Sequence, residues 1–341
     1  MSVVLLASLD AAAAGIAFHY ATPLTPRELG WYANFDVLVT HDPLPRAQVD
    51  ALHRKGTKLV LYEWAVAYYA SLATSWHRTV PLLNKTPLRG HLGANDADAF
   101  YYDPATQQHR EARADFLARR LKAIGYDGVF LDTTTAASVH PLALAEYTRR
   151  HPGVSYDAAF AGFLAKLSKV VEVVVTNQGY RAAAHVLPYV DWDVSESLIT
   201  RPVNGRFVLR PWNDPKDPWN STAYLMKHLI APVRKKFPRV RYGHINYVND
   251  PALVGKIVAI ARLFDAEAVV ARADTAKMLT SDLLLHDFGR AHPRVDRASG
   301  AYRFYEHGFV GYNAGSQPMR VRAQGRTIIV PPASAVFSRW R

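Results

Sequence analysis

Short apolar runs alternate with stretches of helical period along most of the chain. The runs predict strands at Gly15–Tyr20, Val37–Thr40, Lys58–Tyr62, Gly128–Asp132, Val171–Asn177, Trp192–Leu198, Arg241–Tyr247 and Ala266–Ala271. The clearest helical periods are Pro26–Tyr32, Pro45–Lys55, Arg110–Ile124, Tyr156–Lys169, Thr222–Phe237 and Pro251–Phe264. In Arg110–Ile124 the residues Phe116, Leu117, Leu121 and Ile124 form one stripe, charges take the other face, and Gly125 supplies the stop. Asp250 followed by Pro251 is a helix start. Val173–Val175 and Val269–Val270 are apolar at consecutive positions, the pattern of strands covered on both faces. Eight strands separated by helices or long loops predict an α/β fold, a (β/α)8 TIM barrel. A doubly wound nucleotide-binding sheet loses support, because no G-x-G-x-x-G or G-x-x-x-x-G-K-[ST] follows any of the strands.

Near Ala291 the pattern changes. Tyr302–Phe304, Gly308–Asn313, Met319–Ala323, Thr327–Val330 and Ala335–Trp340 are short alternating runs separated by Gly, Pro and Asn. They predict a small C-terminal all-β module, an antiparallel sandwich. The expected organisation is a terminus at 1–14, a barrel domain at 15–290 and the β module at 291–341. The terminus has two readings. Val3–Leu9 followed by Ala11–Ala14 has the shape of a short h-region with a small-residue cleavage site, yet no Lys or Arg precedes it and Asp10 interrupts it. One reading is a signal-peptide remnant, which tips the expected location towards the cell envelope or the exterior. The other is a disordered Ala-rich terminus.

Composition narrows the chemistry. The 341 residues include 41 Lys+Arg against 29 Asp+Glu, a net charge of +12 with the 14 His neutral, and no Cys. A disulfide framework, a thiol nucleophile and a Cys-ligated zinc are therefore excluded. No apolar run reaches the ~18 residues of a transmembrane span. A positive field favours anionic partners. However, the densest basic cluster, Arg234–Lys236 with Arg239 and Arg241, falls at a helix-to-strand junction, where it suits a helix C-terminus. Nucleic-acid binding is not expected as the main function. The sequence does not fix an oligomeric state.

In a (β/α)8 barrel the catalytic groups sit where strands end at the C-terminal face. The polar residues closing the predicted strands are Tyr20, His41 with Asp42, Glu63, Asp132, Asn177, Glu196, and Asn246 with Tyr247. Carboxylates, an amide and aromatic faces on one rim suit a sugar ring and acid–base or nucleophilic chemistry. Asp132 ends Gly125-Tyr126-Asp127-Gly128-Val129-Phe130-Leu131-Asp132, a helix stop, a tight turn and a buried strand. Its competing role is to N-cap a helix through Thr133–Thr135. Glu196 shares a strand face with Trp192 and Val194, surroundings suited to a general acid. Its competing role is a buried ion pair with Arg181 or Arg201. Glu63 and Trp64 could bind substrate, with Glu63 a replacement acid, and Asn177 could bind a hydroxyl or hold a carboxylate. Asp103 reads as the cap of a turn. The histidines are dispersed, with no H-x-H or H-E-x-x-H, so neither a metal nor a cofactor is implied. A G-x-S-x-G elbow is absent.

The stretch Gly125–Asp132 resembles the G-[FY]-D-G-[VL]-F-L-D signature of glycoside hydrolase family 114 and its TIM-barrel relatives, a group that includes endo-α-1,4-polygalactosaminidases. The similarity extends to Phe18–Tyr20, Phe35–Thr40, Gly56–Tyr62, Thr176–Gly179 and Ser195–Leu198. The resemblance implies that Asp132 and Glu196 are the two catalytic carboxylates, Tyr20 a site aromatic and Asn177 a polar neighbour. The family's third-strand motif commonly reads Y-[LI]-S-V-G-E, whereas this chain has Leu61-Tyr62-Glu63-Trp64-Ala65, which shifts the acid. Arg303–Tyr305 and Gly308–Asn313 are similar to a β module of related glycoside-hydrolase-like proteins. The expected function is hydrolysis of an O-glycosidic bond in a polysaccharide or oligosaccharide, with amino-sugar and acidic glycans as candidate substrates. In it Asp132 is nucleophile or stabiliser and Glu196 the acid/base; Tyr20, Glu63, Trp64, Asn177 and Tyr247 bind substrate. A non-catalytic carbohydrate-binding barrel, stacking sugars on Tyr20, Trp64, Trp212 and Tyr247, is the alternative. A basic nucleic-acid-binding protein is the third.

Overall fold

The computed structural model describes residues 14–20, 23–69, 88–89, 99–275, 277–323 and 325–340. Both readings of the terminus rest on residues 1–13, which lie outside these. Eight parallel strands follow one another in chain order around one sheet. They are β1 Ala14–His19, β2 Phe35–Thr40, β3 Lys58–Trp64, β4 Gly128–Asp132, β5 Val173–Asn177, β6 Trp192–Glu196, β7 Arg241–Val248 and β8 Glu267–Arg272. The helices that cover them include α1 Pro26–Tyr32, α2 Arg46–His53, α3 Gln107–Ile124, α4 Pro141–Arg150, α5 Tyr156–Leu167 and α6 Val254–Leu263. This is the (β/α)8 barrel that the apolar runs predict, and strand residues such as Leu38, Val60, Val129, Val175, Val194 and Val269 are fully buried. None of the helices described is long and apolar enough to cross a membrane.

The sheet order leaves β1 and β8 at its edges. Lys277–Leu279 doubles back on β8 there: Leu279 N donates to Val270 O at 2.7 Å and Arg272 N to Lys277 O at 2.8 Å. From this segment Met278 Sδ accepts the Phe18 backbone N–H of β1 at 3.5 Å. A polarisable thioether thus occupies the seam between the two edge strands.

The Gly125–Asp132 signature has a physical reading at nearly every position. Gly125 takes the left-handed conformation, φ 76°, that ends α3. Tyr126 Oη meets Thr40 Oγ1 at 2.8 Å and accepts Leu44 N at 3.0 Å. Asp127 Oδ2 accepts Leu59 N at 2.7 Å and contacts His53 Nε2 at 2.9 Å, joining α2 to the base of β3. Gly128 has no room for a side chain, since a Cβ there would lie 1.9 Å from Val173 O of β5. Val129, Phe130 and Leu131 fill the core, leaving Asp132 at the strand's open end. We expect Gly128→Ala to prise β4 from β5 and to cost about 3 kcal/mol or more, the upper range for overpacking. Chemical denaturation of the variant measures this, and a midpoint equal to wild type would refute the steric account.

Three features depart most from the periodicity. The predicted helix Thr222–Phe237 is α over Thr222–Leu225, π over Met226–Ile230 and α again over Ala231–Lys236. Pro232 lacks an N–H, which widens the turn before it. The strand predicted to reach Leu198 ends at Glu196, where Ser197 enters the left-handed region. Beyond it a hairpin, Thr200–Val203 with Arg206–Leu209, was not visible as an apolar run.

The C-terminal module has β9 Val295–Arg297, β10 Gly300–Tyr305, β11 Gly308–Asn313, β12 Met319–Ala323, β13 Arg326–Val330 and β14 Ser334–Arg339. Strands β9, β10, β11 and β14 form one antiparallel sheet, and β12 with β13 another. Phe309, Val321 and Val330 make the core of the module. Tyr305 Oη donates to Arg262 O of α6 at 2.7 Å, and Trp212 packs on both Phe264 and Tyr312. Trp212 is therefore a buried contact between barrel and module, not one of the sugar-stacking faces that the binding-protein reading offered.

Candidate active site

At the C-terminal ends of the strands, Tyr20, His41, Tyr62, Phe130, Asp132, Asn177, Glu196, Ile245 and Tyr247 line a cavity of about 250 Å³. Strand alternation explains the set, because residues two apart share a face: Tyr62 on β3, Phe130 and Asp132 on β4, Asn177 on β5, Glu196 on β6, Ile245 and Tyr247 on β7.

The polar centre is a bridged pair of carboxylates. Asn177 Nδ2 donates to Asp132 Oδ1 at 2.8 Å and to Glu196 Oε2 at 3.2 Å. Those two oxygens consequently lie no more than 6.0 Å apart, the two bonds laid end to end. Tyr62 Oη donates to Asp132 Oδ2 at 2.6 Å, so both oxygens of Asp132 are held. Tyr247 faces Glu196 from the cavity wall. Neither carboxylate takes the structural role that competed for it: Asp132 accepts from Tyr62 and Asn177, and Glu196 accepts from Asn177.

A backbone device recurs behind the three bridged side chains. Thr133, Gln178 and Ser197, each one residue beyond Asp132, Asn177 or Glu196, have φ 57°, 60° and 55°. Left-handed backbone at non-glycine residues costs roughly 1 kcal/mol or more each and persists only where neighbouring structure imposes it. Here the imposing bonds are Gln178 N to Val194 O at 2.7 Å and Ser197 N to Ile245 O at 2.8 Å, each onto the next strand. Thr133 Oγ1 donates to Asp132 O at 2.7 Å. The chain turns away immediately after each functional group, leaving the side chain at the rim.

Aromatic rings wall the cavity. His41 lies edge-on to Tyr20 with centroids 4.8 Å apart, and 4.1 Å from the Tyr62 ring. Burial holds the His41 imidazole down to about 4 despite the opposing pull of Asp42, so it is neutral at neutral pH. Burial, followed by the nearby Tyr247, Glu196 and Asp132, raises the Tyr20 hydroxyl well above its usual range. Burial and then Asp132 do the same for Tyr62, and burial and then Glu196 for Tyr247. All three phenols thus stay protonated and available as donors.

Two expected residues stand elsewhere. Glu63 is buried, but alternation puts it on the opposite face of β3 from Tyr62, outside the cavity lining, so it cannot replace Glu196 as an acid there. Trp64 shares the face of Tyr62 and hydrogen-bonds its hydroxyl, one step removed from Asp132. Behind this strand end the buried Arg113 of α3 donates to Trp64 O and Ala65 O, both at 2.6 Å. Asp103 caps its turn as expected, accepting Ala105 N at 3.2 Å. Among the described residues no group of three or more His, Cys, Asp or Glu could hold a metal ion. Sequence reasoning passed over Tyr62, Phe130 and Ile245 as lining residues, and it named His41 only as a strand-closing group.

The sequence matches no protein-family model and no curated protein. The fold has solved counterparts. The glycoside hydrolase domain of PelA from Pseudomonas aeruginosa aligns with a TM-score of 0.53 at 21% identity, over 76% of this chain and 94% of that one. An alpha-amylase from Malbranchea cinnamomea aligns with a TM-score of 0.52 at 12% identity, covering 96% and 94% of the two chains. Eubacterium rectale Amy13B gives a TM-score of 0.55 at 8% identity, covering 97% and 96%. At these identities the likeness is one of fold.

Proposed function

We propose that this protein is a glycoside hydrolase that cleaves O-glycosidic bonds of a glycan with retention of anomeric configuration. The observation that carries the reading is the carboxylate pair bridged by Asn177. Its 6.0 Å upper bound joins one oxygen of each group, whereas inverting enzymes set their carboxyl groups ~6.5–9.5 Å apart to seat a water between them. It accommodates the ~5–5.5 Å of the retaining mechanism. Asp132, gripped at both oxygens, is the nucleophile: a rigid carboxylate aimed at the anomeric carbon. Glu196 has a longer side chain and protonates the leaving oxygen. It then takes a proton from the water that releases the glycosyl-enzyme.

The walls fit the same substrate. Tyr20, Tyr62 and Tyr247 offer ring faces to a pyranose, while His41 stays uncharged beside them. Fold alone would not justify this function. The support comes from the paired carboxylates at the strand ends, and the hydrolases with this fold add to it. Amino-sugar and acidic glycans remain the substrate classes to test first.

Reducing-end release from neutral, amino and acidic polysaccharides tests the activity, and NMR of the first-formed product tests the stereochemistry. We expect the anomer of the substrate to appear first and then to mutarotate. An initial product of inverted configuration would refute the retaining assignment. Glycan binding without any product would favour the non-catalytic barrel.

A further inference from the structure

The hairpin after β6 is built as a rigid fin beside the cavity. Its two-residue turn, Asn204-Gly205, has φ 48° and 75°, the left-handed pair that suits the twist of a tight hairpin. Its base is stapled to β7 by the fully buried Asn246, whose Oδ1 accepts Ile199 N and Thr200 N, both at 3.0 Å. The returning leg is fixed by Phe207 N donating to Asn249 Oδ1 at 2.7 Å and Arg210 Nε to Ser197 O at 3.2 Å.

The register pairs Pro202 with Phe207 on one face and Arg201 with Val208 on the other. The Phe207 face looks back to the barrel mouth, where its ring lies 5.4 Å from that of Tyr247, tilted at 48°. Both rings are partly exposed. Tyr247 lines the cavity together with Glu196. An aromatic strip therefore leads out of the cavity on the Glu196 side.

We propose that this strip is a subsite for the sugar on the leaving-group side of the scissile bond, with Phe207 as its stacking platform. The inference rests on the glycosidase reading, in which Glu196 protonates the leaving oxygen. Whatever departs must then sit beyond Glu196, and Tyr247 and Phe207 occupy that position. A ring platform on a braced hairpin fits the apolar face of a pyranose. The substrate is thus a glycan chain whose leaving group is itself a sugar, not a glycoside of a small alcohol.

The test compares oligosaccharides with glycosyl fluorides of the same non-reducing sugar, drawn from neutral, amino and uronic sugars. Fluoride departs without protonation and makes no use of the platform. In Phe207→Ala the ratio of kcat/KM for oligosaccharide to that for fluoride should fall about tenfold, the scale of one lost aromatic contact. Phe207→Trp should restore it. A ratio unmoved in Phe207→Ala, or one not rescued by Trp, would overturn the subsite while leaving the hydrolase intact. Wild-type protein that turns over neither member of any pair would overturn the glycosidase reading, and the subsite with it.

Discussion

Asp132→Asn should lower turnover by about 10⁴-fold or more on every substrate, whatever its leaving group. A missing nucleophile removes a covalent step worth roughly 5 kcal/mol of barrier, and among the described lining residues Glu196 is the one other carboxylate, already engaged as acid. The fold should survive. The new amide can turn its oxygen to Asn177 Nδ2 and its NH2 to the Tyr62 hydroxyl, which can accept as well as donate. Glu196→Gln should behave differently. General acid catalysis contributes typically 10²–10⁴-fold, so oligosaccharide cleavage should fall in that range. Glycosyl fluorides need no proton to leave, and their first step should be largely spared. The kcat/KM values of both variants on both substrate types report the first irreversible step alone, before Glu196 acts as base, and so separate the roles. Equal losses for Glu196→Gln on fluoride and oligosaccharide would refute its role as acid, and near-wild-type turnover by both variants would refute the carboxylate pair altogether.

The pair was legible because each carboxylate closes an apolar strand, a local pattern. Their coupling through Asn177 was not, since it depends on three consecutive strand ends meeting in space. The place of Glu63 outside the cavity lining was not legible for a related reason. Leu59-Val60-Leu61-Tyr62-Glu63-Trp64 is covered on both faces, so its polarity carries no phase to say which residue points inward. Only the position of Tyr62 in the cavity settles it. The hairpin offered a signal that apolar runs do not register: Asn204-Gly205 is a typical two-residue hairpin turn, but Pro202 and the flanking arginines break the alternation around it. The early end of β6 came from a left-handed serine, which propensity does not anticipate. The eight strands themselves were readable because parallel strands under helices must be apolar throughout.

Stability should collapse in acid well before the carboxylates of the unfolded chain are protonated. Burial lowers His19, His41 and His109 to about 4 and His244 to about 3. Below their unfolded value of about 6.5 these four take up protons in the unfolded chain but not in the folded one. Their contribution is complete above pH 6.5 and is lost as pH falls through the window down to 4, or 3 for His244. Asp193 works in the opposite sense. Burial raises it to about 7, against the hydrogen bonds from Thr176, Gly179 and Tyr180. The folded state then holds the extra proton, so its contribution is present below pH 3.8 and is lost as pH rises to 7. Four histidines against one aspartate leave a net of three protons favouring the unfolded state near pH 5, a slope on the order of 4 kcal/mol per pH unit at most. Two such units, about 8 kcal/mol at most, exceed the stability of a fold in the lower part of the ordinary range of about 5–15 kcal/mol. Denaturant titrations at pH 7.5, 6.5, 5.5 and 4.5 measure the slope directly. His244→Gln does not titrate and can still hydrogen-bond Ser195, now 2.5 Å from His244 Nδ1, so it should take one of the net three protons away and flatten the slope by roughly a third. Stability that holds level from pH 7.5 to 5.5, or an unaltered slope in His244→Gln, would show that these rings admit protons without unfolding.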